Sequence, residues 1–284
     1  MSIELKDVTY TYMPKTPFER TAIKQINLEI KKGEFVAIIG HTGSGKSTLV
    51  QHLNGILKPT AGSVTIDGVD LHAQKGAAKT ARRKVGMVFQ YPEHQLFEET
   101  IYEDIAFGPK NLGLPTEEID ARVHRAMAFA GLDFAVYAER SPFQLSGGQM
   151  RRVAIAGVIA LEPEYLILDE PSAGLDPRGR DEIFHEIAKL YRESGIAVIL
   201  VSHNMEDVAK LATRLIVMND SQVALDGTPQ AVFGELDKLK AAGVDVPPVT
   251  ALLGKLKERG LNINDKLLTV DEAVTSIIQA LGER

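Results

Sequence analysis

The stretch from Gly40 to Ser47 constrains the fold of this chain more than any other feature. It reads GHTGSGKS, directly follows the β-rich run from Glu34 to Ile39, and leads into a helical pattern at Lys46. A strand followed by a glycine-rich loop and a helix N-terminus is typical of a phosphate-binding site. The backbone N–H groups of the loop point toward a polyphosphate, and the helix N-terminus adds partial positive charge. The sequence therefore predicts an α/β domain that binds a nucleotide through this loop.

Two side chains of the loop have the chemistry that a nucleoside triphosphate needs. Lys46 is predicted to neutralise the β- and γ-phosphates, and the Ser47 hydroxyl to ligate Mg²⁺, a hard cation that prefers oxygen ligands. The predicted nucleotide-binding residues here are Gly40, His41, Thr42, Gly43, Ser44, Gly45, Lys46, Ser47 and Thr48, with His41 and Thr42 as spacers. On this motif alone, a glycine-rich loop without a ligand stays open as an alternative.

A second candidate site feature lies at Asp169 and Glu170. The apolar run from Tyr165 to Leu168 is typical of a buried strand, and the two acids end it. Because ligands of open α/β sheets bind at the carboxyl ends of the strands, we expect Asp169 near the metal and Glu170 near the attacking water. The alternative is a plain strand exit with solvated acids.

The most specific motif is the string LSGGQ, from Leu145 to Gln149. A given string of this length occurs by chance in 284 residues only about once in ten thousand chains. It resembles, without change, the signature of the ABC family of ATPases. The resemblance implies ATP and Mg²⁺ as cofactors. It also implies that the signature residues of one subunit bind the γ-phosphate of ATP held by an opposite subunit: Ser146, Gly147, Gly148 and Gln149.

Other positions match the pattern of the same family residue by residue. Gln90, which ends the run Val85 to Phe89, resembles its magnesium-contacting glutamine, and His203 resembles its γ-phosphate-contacting histidine. Asp176 lies in a loop that resembles the one crossing to the partner, and Tyr12 lies where the family places an aromatic ring against adenine. The resemblance thus implies Glu170, His203 and Gln90 as catalytic residues and Ser47, Gln90 and Asp169 as metal ligands.

The residues alone leave simpler roles open at three of these positions. Gln90 can be an ordinary strand-end amide, and Asp176 can cap the helix that begins at Pro177. Tyr10 and Tyr12 alternate on one strand face, so spacing alone allows a core role for either ring.

Finer features are similar to one branch of the family, the energy-coupling factor (ECF) transporter ATPases. They are the stretches TPFER (16–20), QYPEHQLF (90–97) and MRRVAIAG (150–157) within a resemblance that covers Ser2 to Pro229. The implied fold is the α/β P-loop NTPase domain of ABC ATPases, with a mostly parallel core sheet, an antiparallel β subdomain and a helical signature subdomain. We place this domain at 1–227, its helical subdomain at about 91–162, and a small α-helical C-terminal extension at 228–284.

The extension carries amphipathic helical patterns. Thr269 with Glu272 predicts a capping box at the start of its last helix. Apolar residues follow helical spacing there, at Val270, Ala273, Val274, Ile277, Ile278 and Leu281. This stripe either folds back on the main domain or pairs with another subunit, as the extension of the ECF branch does.

Composition narrows the functional classes further. The net charge of −6 disfavours a general nucleic-acid binder, and the absence of cysteine excludes disulfides and thiol chemistry. The longest apolar run, Val153 to Leu161, is far shorter than the ~20 residues of a membrane-spanning helix. Acidic residues follow Met1 where a signal peptide would be basic, so we expect no export signal and a peripheral position at the cytoplasmic face of the cell membrane.

The resemblance implies an ATP-hydrolysing subunit that powers an ECF-type importer of vitamins or other micronutrients through nucleotide-driven dimer closure. Its implied partners are a second ABC ATPase, either a homologue or a second copy, a transmembrane coupling subunit and a small substrate-binding membrane protein. A cobalt or nickel importer ATPase is the near alternative, and a soluble ABC ATPase acting on ribosomes or nucleic acid is the distant one. The transported substrate is not encoded here, because an ATPase subunit never touches it.

One surface is a candidate for docking the membrane partner. Between Lys84 and Lys110 the chain has no lysine or arginine but several acids: Glu93, Glu98, Glu99, Glu103 and Asp104. We predict that this segment receives a basic helix of the coupling subunit, with a solvated acidic face as the alternative.

Overall fold

The computed structural model describes residues 1–73 and 75–282. The N-terminal part of the chain contains an antiparallel sheet. The strands are β1 (Ser2–Tyr12), β2 (Arg20–Lys31), β4 (Ala61–Ile66) and β5 (Val69–Asp70), in the order β2-β1-β4-β5. The third strand in sequence, β3 (Phe35–Ile39), leaves this sheet for a second one. The predicted antiparallel β subdomain is thereby confirmed.

The second sheet is the parallel core that was expected. It has the order β10-β9-β3-β8-β7-β6 and adds β6 (Val85–Val88), β7 (Tyr165–Asp169), β8 (Ala197–Val201), β9 (Arg214–Asn219) and β10 (Gln222–Gly227). Only β10 runs antiparallel to its neighbour. Strands β3, β7 and β8 are buried along their whole length, because both faces of this sheet are covered.

The two faces of the core sheet pack against different units. On β7, Tyr165 and Ile167 join the apolar cluster of the antiparallel sheet and of α1 (Lys46–Leu53). Leu166 and Leu168 face the other way, into the cluster of the helical part. This alternation is the ordinary strand period, and it fixes the sheet between the two units.

Helices make up the rest of the main domain. They are α2 (Lys75–Arg82), α3 (Ile101–Asn111), α4 (Thr116–Phe129), α5 (Phe134–Tyr137), α6 (Gly147–Ile159), α7 (Pro177–Ser194) and α8 (Met205–Leu211), with 3₁₀ turns at Pro92–Gln95 and Pro142–Gln144. Helices α3, α4 and α6 pack together as the predicted helical subdomain.

Helix α3 is the main element that the local sequence pattern did not predict. It begins at a Thr100 cap, whose hydroxyl accepts the Glu103 N–H, and it contains Gly108 and Pro109 near its end. Both residues lower helix propensity, so the local pattern is weak. Burial of Ile101 and Ile105 against the subdomain core stabilises the helix in place of local propensity.

The C-terminal residues divide into two parts. Helices α9 (Pro229–Phe233) and α10 (Leu236–Ala241) bury Phe233 and Leu239 against Ile39 and Val217 of the core sheet. Helices α11 (Pro248–Glu258) and α12 (Val270–Gly282) have a small cluster of their own. The predicted extension runs to 284, and its last residues, Glu283 and Arg284, lie outside the described part.

The predicted capping box of α12 is confirmed, because the Thr269 hydroxyl accepts the Glu272 N–H and the Glu272 carboxylate accepts the Thr269 N–H. The apolar stripe of this helix is only partly covered by its own chain: Ala273 is buried, whereas the residues exposed by about half are Val270, Val274, Ile278 and Leu281. Over residues 1–73 and 75–282, no helix combines the length and apolar character needed to cross a membrane.

Candidate functional site

The glycine-rich loop lies between β3 and α1, as predicted, and two of its glycines are required by close backbone approach. A Cβ on Gly40 would lie 2.3 Å from the Met218 carbonyl oxygen, and one on Gly45 would lie 2.3 Å from the Ala22 carbonyl oxygen. Gly45 also has φ +107°, which other residues rarely adopt. The loop is therefore fixed in shape by neighbours on β9 and β2.

Lys46 closes the loop on itself. Its Nζ donates to the carbonyl oxygens of Gly40 at 2.6 Å and His41 at 3.0 Å. Burial lowers the pKa of this ammonium, and the carboxylates of Glu170 and Asp169 oppose that shift. The amine is thus held by weak acceptors that a phosphate can replace.

Asp169 and Glu170 lie at the carboxyl end of β7, beside this loop. Burial raises the pKa of Asp169, while the Ser47 hydroxyl and the Lys46 charge oppose the shift. Burial, together with the neighbouring Asp169, raises the pKa of Glu170 to about 7. Glu170 has φ +51°, and its N–H donates to the Val201 carbonyl oxygen at 3.0 Å, so the backbone aims the side chain into the cleft.

His203 and Gln90 complete the same cleft from β8 and β6. His203 Nε2 lies 3.1 Å from Glu170 Oε1, and burial, followed by the Lys46 charge, lowers the pKa of the imidazole. Among the described residues Glu170 Oε1 has no hydrogen-bond donor, so the 3.1 Å separation is a close approach rather than a bond. A buried oxygen that still needs a donor fits a position for the attacking water.

These side chains line one cleft of about 340 Å³, together with residues from the loop and from β2. Its lining residues are Tyr12, Arg20, Ala22, Thr42, Gly43, Gly45, Lys46, Ser47, Thr48, Gln90, Asp169, Glu170, Val201 and His203. We name this set the phosphate cleft. A larger cleft, of about 610 Å³, lies between α4 and α7 and contains none of these residues, so size alone does not mark the site.

The two tyrosines of β1 have different roles. Tyr10 packs edge-on against the fully buried His52 ring, with centroids 4.9 Å apart, and belongs to the core. Tyr12 lines the phosphate cleft, 39 % exposed, and its hydroxyl is 3.2 Å from the Thr48 hydroxyl. Tyr12 is therefore the ring available to stack on a base.

The signature residues lie in a different cleft, of about 310 Å³, lined by Ser146, Gly148, Gln149, Leu175 and Asp176 among others. We name it the signature cleft; it shares no lining residue with the phosphate cleft. Ser146 and Gln149 form a capping box at the start of α6. Asp176 caps α7 through the Gly179 N–H, so its simpler role is confirmed alongside its place at the cleft.

The sequence interpretation missed Arg20, which is the first residue of β2 and pairs in register with Tyr12. Its Nη2 lies 3.5 Å from the Gly43 carbonyl oxygen. A lone cation opposite the predicted base-stacking ring was the available signal. The sequence interpretation also took Glu93 as part of an exposed acidic surface, whereas its carboxylate is turned inward onto Arg151.

The phosphate cleft fits ATP with Mg²⁺. The Lys46 ammonium and the α1 N-terminus suit a polyphosphate, and the oxygens of Ser47, Asp169 and Gln90 are the donors that Mg²⁺ prefers. A phosphate loop, two acids after a buried strand and a separate signature cleft at a helix N-terminus together define an ATPase of the ABC class.

The comparisons with known proteins agree with this class. The family model described as ABC transporter matches residues 23–173. The chain is 56 % identical to the energy-coupling factor transporter ATP-binding protein EcfA2 of Clostridium tetani, over all of this chain and 99 % of that protein. It is 54 % identical to the EcfA2 protein of Clostridium perfringens, over 99 % of each. The chain belongs to this family of ECF transporter ATP-binding proteins.

Solved structures show the same fold. The cbiO1 protein of Clostridium perfringens, part of the ABC transporter complex cbiONQ, is 38 % identical with a TM-score of 0.74, covering 90 % of this chain and 98 % of that one. The ATP-binding cassette MJ0796, solved as a dimer in a post-hydrolysis state with ADP and Pi, is 33 % identical with a TM-score of 0.71. That match covers 80 % of this chain and 98 % of that one.

Proposed function

We propose that this chain hydrolyses ATP at a site shared with a second ATPase subunit, and that closure and reopening of the pair power an ECF-type importer of vitamins or other micronutrients. The observation that carries the proposal is the separation of the phosphate cleft from the signature cleft within one chain. Each is half of a site, so two chains facing each other make two complete sites. The EcfA2 relatives and the dimeric MJ0796 structure support this arrangement.

The residues of the phosphate cleft divide the chemistry among them. Ser47, Asp169 and Gln90 would hold Mg²⁺, which supplies neutralisation of the charge on the phosphate oxygens. Lys46 exchanges its carbonyl partners for the β- and γ-phosphates, and Glu170 orients the attacking water and accepts its proton. His203 contacts the γ-phosphate, and the partner's signature loop closes over it from the other side.

The acidic segment supports a docking surface for the membrane partner, in a narrower form than the sequence predicted. Within it, Asp104 accepts the N–H groups of Phe97 and Glu98, Glu103 pairs with Lys110, and Glu93 pairs with Arg151. Among residues 1–73 and 75–282 the structure gives no salt bridge to Glu98 or Glu99. These two acids are the free charges of the segment.

An exposed aromatic pair adjoins the two free acids. The Phe97 and Phe107 rings meet edge-on with centroids 4.8 Å apart, and they are 56 % and 44 % exposed. Exposed aromatic residues next to unpaired charge favour a protein partner that is itself amphipathic and basic. We assign this surface to a basic helix of the transmembrane coupling subunit.

Charge reversal tests the docking surface. Glu98→Lys with Glu99→Lys is expected to abolish recovery of the membrane subunits with a tagged chain. The variant chain should still fold, with unchanged thermal stability. The matched control reverses two exposed acids on other helices, Glu117→Lys with Glu193→Lys, and should leave recovery intact. Equal recovery from both double variants rules the surface out.

The exposed stripe of α12 supports pairing between the two ATPases. Val270, Val274 and Ile278 present apolar surface on one helix face, beyond what the small local cluster covers. In this proposal the partner is a homologue or a second copy of this chain. The complex is peripheral and lies at the cytoplasmic face of the membrane. Ile278→Asp is expected to weaken subunit pairing in sedimentation without lowering ATP binding.

Purification of a tagged chain from native membranes in mild detergent, with mass spectrometry of the recovered chains, tests the whole assignment. Recovery of a second ATPase and a membrane coupling protein is expected, and any small membrane protein present then identifies the substrate class. Recovery of ribosomal or DNA-associated chains without a membrane protein overturns the importer function.

A further inference from the structure

Arg151 is an almost fully buried cation, 2 % exposed, one turn into helix α6 and away from both clefts. Its guanidinium pairs in parallel with the Glu93 carboxylate, Nε to Oε2 at 3.1 Å and Nη2 to Oε1 at 2.9 Å. The third nitrogen, Nη1, donates to the Ala173 carbonyl oxygen. All three nitrogens are engaged, and each partner lies on a different segment of the chain.

The first partner segment carries Gln90. Only Tyr91 and Pro92 separate Gln90 from Glu93, and Glu93 lies in the 3₁₀ turn that follows. Tyr91 has φ +59°, and its ring centroid lies 6.0 Å from the Arg151 guanidinium carbon. The position of the Gln90 segment is thus tied to Arg151 by two hydrogen bonds and a cation–π contact.

The second partner segment carries Glu170. The Ala173 N–H donates to the Glu170 carbonyl oxygen at 3.1 Å, which closes a turn directly behind this acid. Arg151 Nη1 donates to the carbonyl oxygen of the same residue, Ala173. The turn that presents Glu170 to the phosphate cleft therefore rests on the same guanidinium.

The third segment is α6 itself, whose N-terminus carries the signature residues from Ser146 to Gln149. In the shared site these residues serve the nucleotide of the other subunit. Since removal of one member of a buried ion pair leaves the other charge unpaired in a low-dielectric environment, the three segments separate only with difficulty. They form one mechanical unit.

We infer that Arg151, paired with Glu93, is a positioning residue. It couples the Gln90 and Glu170 segments of a subunit's own phosphate cleft to the signature loop of the same subunit. That signature loop serves the nucleotide bound by the partner. The inference rests on the shared-site arrangement proposed above. A shift of Gln90 or Glu170 on nucleotide binding then moves the start of α6, and so the partner's site.

Lysine substitution tests this role, because lysine keeps the charge but cannot bridge three acceptors in a fixed fork. In the complex purified with its native partners, Arg151→Lys and Glu93→Gln are each expected to lower kcat about tenfold. Binding of ATP by the isolated full-length chain should change less than twofold. The double variant should be no slower than the slower single variant, because both changes remove one coupling.

Arg122→Lys is the matched control. Arg122 is also largely buried and also bonds two carboxylates, Glu118 and Glu162, and a backbone carbonyl, but it touches no nucleotide-binding segment. Its kcat should stay within twofold of the parent. Should Arg151→Lys not fold, as judged by thermal unfolding, Glu93→Gln carries the same test.

Three results from the single variants overturn the inference: a kcat of Arg151→Lys and Glu93→Gln within twofold of the parent, an equal loss in Arg122→Lys, or a loss of ATP affinity that accounts for the loss of kcat. Additive losses in the double variant do so as well. Failure of the shared site itself is distinguishable, because Ser146→Arg, which alters the signature cleft, would then retain turnover in the same assay.

Discussion

The phosphate cleft and the signature cleft differ in how completely their own chain builds them. In the phosphate cleft, Gly40 and Gly45 are held by backbone contacts that leave no room for a Cβ, and Lys46 is satisfied by loop carbonyls. At the signature cleft, the lining residue Ser146 and its neighbour Gly147 are exposed, and a Cβ on Gly147 would meet nothing within 4 Å. One half is preformed, and the other is open surface.

This difference shows which half depends on a partner. A preformed loop binds nucleotide without reorganisation, so an isolated chain should bind ATP through the phosphate cleft. The open half presents N–H groups and a helix N-terminus to solvent, and in the proposed function these bind phosphate only when a second chain brings it to them. Substitutions should therefore separate binding from hydrolysis according to the half they affect.

The largest effect is expected at Glu170, which lies in the preformed half and which we propose to act in the closed pair. Glu170→Gln should lower ATP hydrolysis by roughly 10²- to 10⁴-fold, because general-base catalysis supplies about that factor. ATP binding should persist, since Lys46 and the loop are unchanged. Phosphate release and nucleotide binding measure the two effects, with Glu193→Gln, an exposed acid on α7 outside the phosphate cleft, as the control. Near-normal turnover would assign the base elsewhere.

A bulky charge in the open half should greatly slow hydrolysis by the complex while leaving ATP binding by the isolated chain nearly unchanged. Ser146→Arg is expected to slow hydrolysis in the complex by about 10²-fold, the usual effect of losing one transition-state donor. The ATP affinity of the isolated chain should change less than twofold. Gln144→Arg, exposed and two residues away, is the matched control. A large loss of ATP affinity in the isolated chain would contradict the separation of the two halves.

Glycine substitutions compare the rigidity of the halves directly. Gly45→Ala should destabilise the chain by about 2 kcal/mol or more, because φ +107° and the 2.3 Å approach of the Ala22 oxygen both oppose a side chain. Gly147→Ala, with open space at a helix start, should raise stability by up to about 0.5 kcal/mol. Denaturant unfolding of the isolated chain measures both. Similar values for the two variants would mean that the loop is not preformed.

The smallest effect is expected at the rim of the phosphate cleft. Tyr12→Ala should weaken ATP binding about tenfold, because stacking of a base on an aromatic ring contributes about 1–3 kcal/mol. Tyr12→Phe keeps the ring and loses only the contact with Thr48, so its affinity should stay within twofold. Fluorescent ATP titration distinguishes them. Equal losses in both variants would assign the effect to the hydroxyl instead.

Local motifs predicted a large part of this molecule. The strand and helix alternation predicted the parallel core sheet, and the loop from Gly40 to Ser47 and the acids after β7 were predicted because each depends on residues close in sequence. The antiparallel sheet was implied by the resemblance to the ABC family. Helix α3 escaped prediction, since its stability comes from burial of Ile101 and Ile105 rather than from its own propensities. The partner of Arg151 also escaped, because Glu93 lies 58 positions away.

The sequence by itself determined that the chain carries a phosphate-binding loop, a pair of acids and a signature, since short-range backbone geometry fixes the first and specific residue strings identify the rest. Only the tertiary structure decided that these motifs form two clefts, that Tyr12 rather than Tyr10 lines the phosphate cleft, and that Glu93 pairs with Arg151 while Glu98 and Glu99 have no salt bridge among the described residues. The physical reason is that burial and charge pairing depend on segments distant in sequence, which no local pattern records.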